Sequence, residues 1–295
     1  MISLSNHQLQ LTINPHGAEL SKVYSPVYQT DYLWNADPRF WQRSAPVLFP
    51  IVGSVAQNTY FHQGKPYHLS QHGFARDMVF QVMSQTEQNV WFQLVSTPET
   101  LTKYPFPFVL RIGYELTDDT VSVHWEVENP GQLDMFFSIG AHPAFNANLN
   151  QSNSEQDAYD FLFFEESDQI HSFGFDNDKG LVHTDKVLIA ERKTLPLDKE
   201  LFTDHPTLIV EGERGISLCS TMHDREVQMT FDGFPYVGIW SPINDQDEIA
   251  SFVCIEPWYG MADTHSEPGE ISHKKGIQTL APGQVFNATY TMSFR

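Results

Sequence analysis

The chain has 295 residues, 41% hydrophobic and 13% aromatic, enough to enclose a large core without disulfides or structural metals. With 17 basic residues against 37 acidic ones, the formal net charge is −20. That balance excludes an extended nucleic-acid footprint or an anionic-membrane surface, since both need basic patches.

In chain order, apolar residues recur mostly at period two, the pattern of half-buried strands. Short runs of this kind occupy 8–13, 90–95, 109–116, 121–128, 135–141, 207–211, 216–219, 227–231, 236–240, 251–255 and 286–294. In the run Val121 to Glu128, residues Val121, Val123, Trp125 and Val127 share one face, while Ser122, His124, Glu126 and Glu128 share the other. Phe286, Ala288, Tyr290, Met292 and Phe294 repeat the pattern near the C-terminus. Turn residues punctuate the runs, as at Asn129-Pro130-Gly131 and Asp232-Gly233.

Helical windows are scarce. Short helices are expected over Ser154–Glu166 and Asp198–Asp204, and the polar stretch Asn146–Asp160 reads as a surface loop or insertion. Many strands with almost no βαβ alternation predict an all-β fold, a sandwich of antiparallel sheets. A prior of about 150 residues per domain allows two domains. No linker interrupts the pattern, however, so one domain over 1–295 is expected. Cys219 and Cys254 alone form no disulfide framework or zinc spacing. The N-terminus lacks the basic and apolar regions of a signal peptide, and no apolar run approaches the roughly 20 residues of a membrane helix. A soluble, reduced, cytoplasmic protein is the expectation.

Eleven of the thirteen histidines lie in polar or turn-like contexts that suit solvated surface residues. His72 and His142 differ. His72 opens His72-Gly73-Phe74-Ala75-Arg76, where the glycine permits backbone geometry that aims a neighbouring ring into a cleft. The alternative is a plain turn histidine. His142 ends the apolar run 135–141 and precedes Pro143. A residue before proline is pushed into extended geometry, and proline gives a sheet ladder no donor. Glu256 repeats the arrangement, ending the apolar run 251–255 and preceding Pro257, Trp258 and Tyr259. A carboxylate there should have a raised pKa and need a partner, unless it merely caps a turn.

These residues supply one carboxylate and two imidazoles without a P-loop, Rossmann glycines, a Gly-x-Ser-x-Gly elbow or a His-Glu-x-x-His motif. Phe145, Trp240, Trp258 and Tyr259 are candidates for an apolar floor on which a sugar ring stacks, the alternative being ordinary sandwich core.

Five segments in order then carry a resemblance: 45–53 (APVLFPIVG), 71–76 (QHGFAR), 140–146 (GAHPAFN), 234–240 (FPYVGIW) and 254–260 (CIEPWYG). Over nearly its whole length the sequence resembles the aldose 1-epimerase (galactose mutarotase) family, within it the LacX-like branch. The resemblance implies a β-supersandwich and reversible interconversion of the α- and β-anomers of an aldose, with no metal or organic cofactor. The implied partner is a small-molecule sugar. Glu256 would be the general base on the C1 hydroxyl and His142 the general acid on the ring oxygen, with His72 assisting at that oxygen. This matches the chemistry of opening a hemiacetal, which removes one proton and donates another across C1.

The sequence departs from the family at Ser54, where many members carry a sugar-contacting arginine. Arg76 is the candidate to supply that guanidinium, Asp232 the candidate sugar-binding aspartate, and Phe145 and Trp258 further substrate contacts. The alternatives are a hexose-6-phosphate mutarotase, a non-catalytic sugar-binding protein of the same fold, and a metal hydrolase ligated by His72, His142 and Glu256.

Overall fold

The computed structural model describes residues 1–149, 159–176 and 178–295. The fold is all-β, built on two large antiparallel sheets. The nine-stranded sheet runs Thr194–Pro196, Asp160–Phe164, Gly215–Ser220, Val227–Thr230, Val285–Phe294, Thr120–Glu128, Val109–Thr117, Asn89–Val95, Gln81–Gln85. The eight-stranded sheet runs Leu181–Ala190, Ile170–Asp176, Thr207–Glu211, Tyr236–Trp240, Phe252–Tyr259, Ile139–Ala141, Val47–Leu48. Its eighth strand, Ala144–Asn146, also pairs with Phe252–Tyr259.

Period-two patterning places the core. In the nine-stranded sheet Val121, Val123, Trp125 and Val127 are buried and stand opposite Met292, Tyr290, Ala288 and Phe286. Aromatic and β-branched cross-strand pairs of this kind stabilise a sheet. A one-residue slip would turn every one of them to solvent.

The eight-stranded sheet is buried on both faces at its centre, and the period of two sorts its residues. Val237, Ile239, Val253 and Ile255 enter the main core. On the same two strands Trp240, Phe252, Cys254 and Trp258 belong to separate clusters on the other face. That second face holds the site.

Helix is limited to short segments among the described residues. Lys199–Asp204 forms where expected, with the Asp198 carboxylate accepting from the Leu201 N–H at 2.7 Å. The helix expected over Ser154–Glu166 is not found in its described part. Asp160–Phe164 is a strand, because Leu162 and Phe164 alternate with Phe161 and Phe163 and fill the core at period two. Residues 154–158, and most of the loop expected over Asn146–Asp160, lie outside the described residues. No described helix is long and apolar enough to cross a membrane.

Candidate active site

The register of the central strands brings the acid–base pair together. Gly140 pairs with Trp258 and Ala144 with Cys254, so His142 falls opposite Glu256 on the same face. Pro143 has no N–H to give the ladder between them, while its carbonyl still accepts the Ile255 N–H at 3.3 Å. His142 Nε2 lies 3.1 Å from Glu256 Oε2, with the residues 7% and 1% exposed. The contact lacks hydrogen-bond alignment: Glu256 Oε2 and His142 Nδ1 are buried and have no partner. Each such atom forfeits its hydration unless a ligand supplies the missing bond.

Burial sets the protonation of this pair. It pushes the Glu256 carboxyl well above the usual carboxylate range, opposed in part by the nearby Trp258 N–H. It pushes the His142 imidazole down to about 3, helped by the positive charge of Arg76. Both shifts favour neutral forms. Between those limits the pair holds one proton, with the two heavy atoms that can carry it 3.1 Å apart.

His72 arrives from a different element. Its backbone has φ +65°, a left-handed conformation costly for a non-glycine residue. Two bonds to Gly53 hold it: the His72 N–H donates to the Gly53 carbonyl at 2.8 Å, and the Gly53 N–H donates to His72 Nδ1 at 3.1 Å. With Nδ1 occupied as acceptor, the neutral ring must carry its hydrogen on Nε2. Burial keeps it neutral, lowering its pKa well below the imidazole range, with His142, Arg76 and Arg43 adding to the effect. His72 is thereby a fixed donor, edge-on to His142 at 5.6 Å.

Around these groups lies a cavity of about 330 Å³, within the range of small-ligand sites. Trp41 stacks on the His142 ring at 4.7 Å, and Trp240 meets that ring edge-on at 5.6 Å. Trp258 lies flat against the sheet because its two neighbours are glycines. A Cβ at Gly140 or Gly238 would come within 2.6 Å or 2.4 Å of the indole. The Trp258 N–H donates to the Ala141 carbonyl at 3.2 Å.

Arg76 is the only cation among the described residues that line this cavity. One guanidinium NH₂ donates to the Gln71 carbonyl at 2.7 Å, while its buried Nε has no partner. Arg43 stands behind it, bound to the Asp77 carboxylate at 2.6 Å. Ser54 does not line the cavity, and its hydroxyl lies beside Gly180.

Glu256, His142, His72, Arg76, Trp258 and Trp240 thus converge on one cavity, whereas Phe145, Asp232 and Tyr259 do not line it. Phe145 is fully buried in the main core, because it lies an odd number of residues from His142 and points to the other face. Tyr259 stands in the same relation to Glu256 and packs on Phe234 and Phe286. Asp232 sits in an exposed turn, its side chain 85% exposed and 3.6 Å from Arg214.

Sequence reasoning did not single out Phe40, Trp41, Gln71, Phe175, Thr207 or Ile209, which complete the walls. Thr207 and Ile209 carry a readable signal, since their strand pairs Thr207 with Trp240 and Ile209 with Gly238. Trp41 and Phe175 come from a turn and a hairpin end, where periodicity is silent.

The ligand set His72, His142 and Glu256 is not the one that clusters. His142, Cys254 and Glu256 place one ligand atom each within 4.8 Å of one another. Burial, and then Glu256, raise the Cys254 thiol well above its ordinary pKa, which disfavours the thiolate a metal requires. A second cavity of about 470 Å³, lined by Tyr32, Asp160, His223 and Arg225 among others, brings no carboxylate and imidazole into contact among the described residues.

Comparison with known proteins agrees with this architecture. A family model described as aldose 1-epimerase matches residues 1–291. Protein LacX (plasmid) of Lactococcus lactis subsp. lactis is 29% identical, over 99% of this chain and 98% of its own length. A galactose mutarotase-like protein from Lactobacillus casei ATCC 334 superposes with a TM-score of 0.91 at 33% identity, covering 100% of both chains. A galactose mutarotase related enzyme from Lactobacillus acidophilus does so with 0.90 at 31%, covering 100% and 97%.

Proposed function

Because the chain belongs to the aldose 1-epimerase family, we propose that it interconverts the α- and β-anomers of an uncharged aldose by general acid–base catalysis. Glu256 as carboxylate takes the proton from the C1 hydroxyl while His142 as imidazolium gives one to the ring oxygen. The bond between C1 and the ring oxygen breaks, the aldehyde turns about the C1–C2 bond, and reclosure on the other face returns both protons. The observation that carries this reading is the buried contact of Glu256 and His142, whose Oε2 and Nδ1 await partners at the wall of a sugar-sized cavity.

In the empty cavity burial favours neutral Glu256 and neutral His142. A sugar hydroxyl donating to Oε2 stabilises the carboxylate and shifts the shared proton to the imidazole. The same single proton, left on Glu256, arms the pair for the reverse direction. His72 holds the ring oxygen with its Nε2–H, and Arg76 offers its free Nε–H to a hydroxyl, the role that Ser54 cannot fill. A phosphosugar would call for several converging cations. Among the described lining residues Arg76 is the single cation, and Arg43 is engaged with Asp77, which favours the uncharged sugar.

The test is polarimetry on freshly dissolved α-glucose, α-galactose and other aldoses. Acceleration over buffer is expected for at least one, at rates lost in Glu256→Gln. Sugar binding by saturation-transfer NMR with no anomer exchange would sink the catalytic reading. The pH dependence sharpens it. Below about pH 3 the pair gains a second proton and no base remains; above the raised Glu256 pKa it holds none and no acid remains. kcat/KM is therefore expected to fall toward about pH 3 on the acid side and to fall again only above the raised Glu256 pKa.

A further inference from the structure

Behind the Gly53–Ala262 wall of the cavity lies a second buried ion pair, Lys274 Nζ to Asp263 Oδ1 at 2.7 Å. The other carboxylate oxygen accepts the Ala56 N–H at 2.9 Å, and the Asp263 N–H donates to the Ser54 carbonyl at 2.9 Å. Residues 54 and 56 are thus both fastened to residue 263. Gly53 presses on Ala262 so closely that a Cβ there would come 2.5 Å from the alanine methyl. From Gly53 run the two bonds that hold His72, including the N–H to Nδ1 that decides its tautomer.

An ion pair this buried is poorly explained by stability, because apolar replacements of such pairs are often neutral or stabilising. Outer partners that fix a histidine's tautomer, by contrast, typically change activity 10–100-fold in metal sites, where the same orienting logic applies. We propose that the Asp263–Lys274 pair is a positioning device for His72, keeping Asp263 on the 54–56 loop so that the Gly53 N–H imposes the Nε2–H form. The expected effect on turnover rests on the proposed mutarotase reading; the effect on the tautomer does not.

The experiment uses the full chain labelled with ¹⁵N-histidine, with His72 assigned by the signals that vanish in His72→Asn. Two variants are compared with the parent, Lys274→Met and the uncharged double variant Asp263→Ala/Lys274→Met. The second leaves no unpaired buried charge and keeps the proposal testable should the first fail to fold. The expected result is that His72 leaves the pure Nε2–H pattern for a tautomer mixture in each folded variant, while kcat falls about tenfold at nearly constant KM. Retention of the parental His72 pattern, with only the thermal midpoint lowered, would overturn the proposal and make the pair a structural staple. If the parent turns over no aldose, the mutarotase reading fails, yet the ¹⁵N pattern still decides the role of the ion pair.

Discussion

Two acid–base pairs lie buried on either side of one cavity wall, and they are built in opposite ways. In Asp263–Lys274 each carboxylate oxygen has a donor, the ammonium on one and a backbone N–H on the other. In Glu256–His142 the reverse holds: contact is made without alignment, and an oxygen and a nitrogen stay unpartnered. The pair with both carboxylate oxygens bonded is suited to fixing geometry, since satisfied buried polar networks are rigid. The unsatisfied pair keeps vacant bonding capacity, which on the proposed mechanism a sugar hydroxyl fills. On that reading bonding state, more than burial or residue type, separates scaffold from chemistry here.

The contrast can be broken most sharply at Glu256. Glu256→Gln and His142→Asn should each lower kcat by about a thousandfold with modest change in KM, within the range for general acid–base groups. The double variant should be hardly worse than either single one, because the two act as a unit. Additive losses by polarimetry would show that they do not share one proton.

Next in size is stability at the satisfied pair. Lys274→Met leaves a buried carboxylate without its counter-ion and should destabilise the fold by about 3 kcal/mol, read from denaturant unfolding. At the unsatisfied pair the sign should be opposite. Burial raises the folded pKa of Glu256, so the native state loses stability as pH rises above the unfolded carboxyl value and only the unfolded state ionises. Glutamine does not titrate. Glu256→Gln should therefore gain stability relative to the parent as pH rises above the unfolded carboxyl value, by about 1 kcal/mol, a common size for such active-site replacements. A gain independent of pH would contradict the assignment of the raised pKa. The smallest effect belongs to Asp232: Asp232→Asn should leave kcat, KM and the thermal midpoint unchanged, since its exposed pairing with Arg214 is of the weakest kind.

How far the sequence reached can be judged residue by residue. The fold was legible because strands announce themselves at period two, as in Val121 to Val127 and Phe286 to Phe294. His142 and Glu256 were legible for a local reason, each closing an apolar run just before a proline. Phe145 was misplaced although the same period decides its direction: three residues from His142, it must face the other way. Asp232 was chosen for closeness along the chain to Trp240, yet the turn at Asp232-Gly233 leaves it in solvent. Trp41, Phe175 and the Asp263–Lys274 pair come from separate segments that meet only in three dimensions, and no local pattern encodes such meetings. Of the two short helices, Lys199–Asp204 carried a capping aspartate and was found. In Asp160–Phe164 a β-rich run of phenylalanines outweighed any helical period.

The cross-strand placement of His142 and Glu256 has a consequence for how this protein can change. Their separation is set by the spacing of paired strands, a dimension that substitutions elsewhere hardly alter. The walls come from unrelated places: Trp41 from one turn, Gln71 and Arg76 from another, Phe175 from the end of a hairpin strand and Thr207 from a neighbouring strand. Such a division uncouples reactivity from recognition. On the proposed function, descendants of this chain could take a different sugar by replacing one rim residue at a time while the Glu256–His142 geometry passes on intact, so substrate preference would be free to drift faster than the reaction itself.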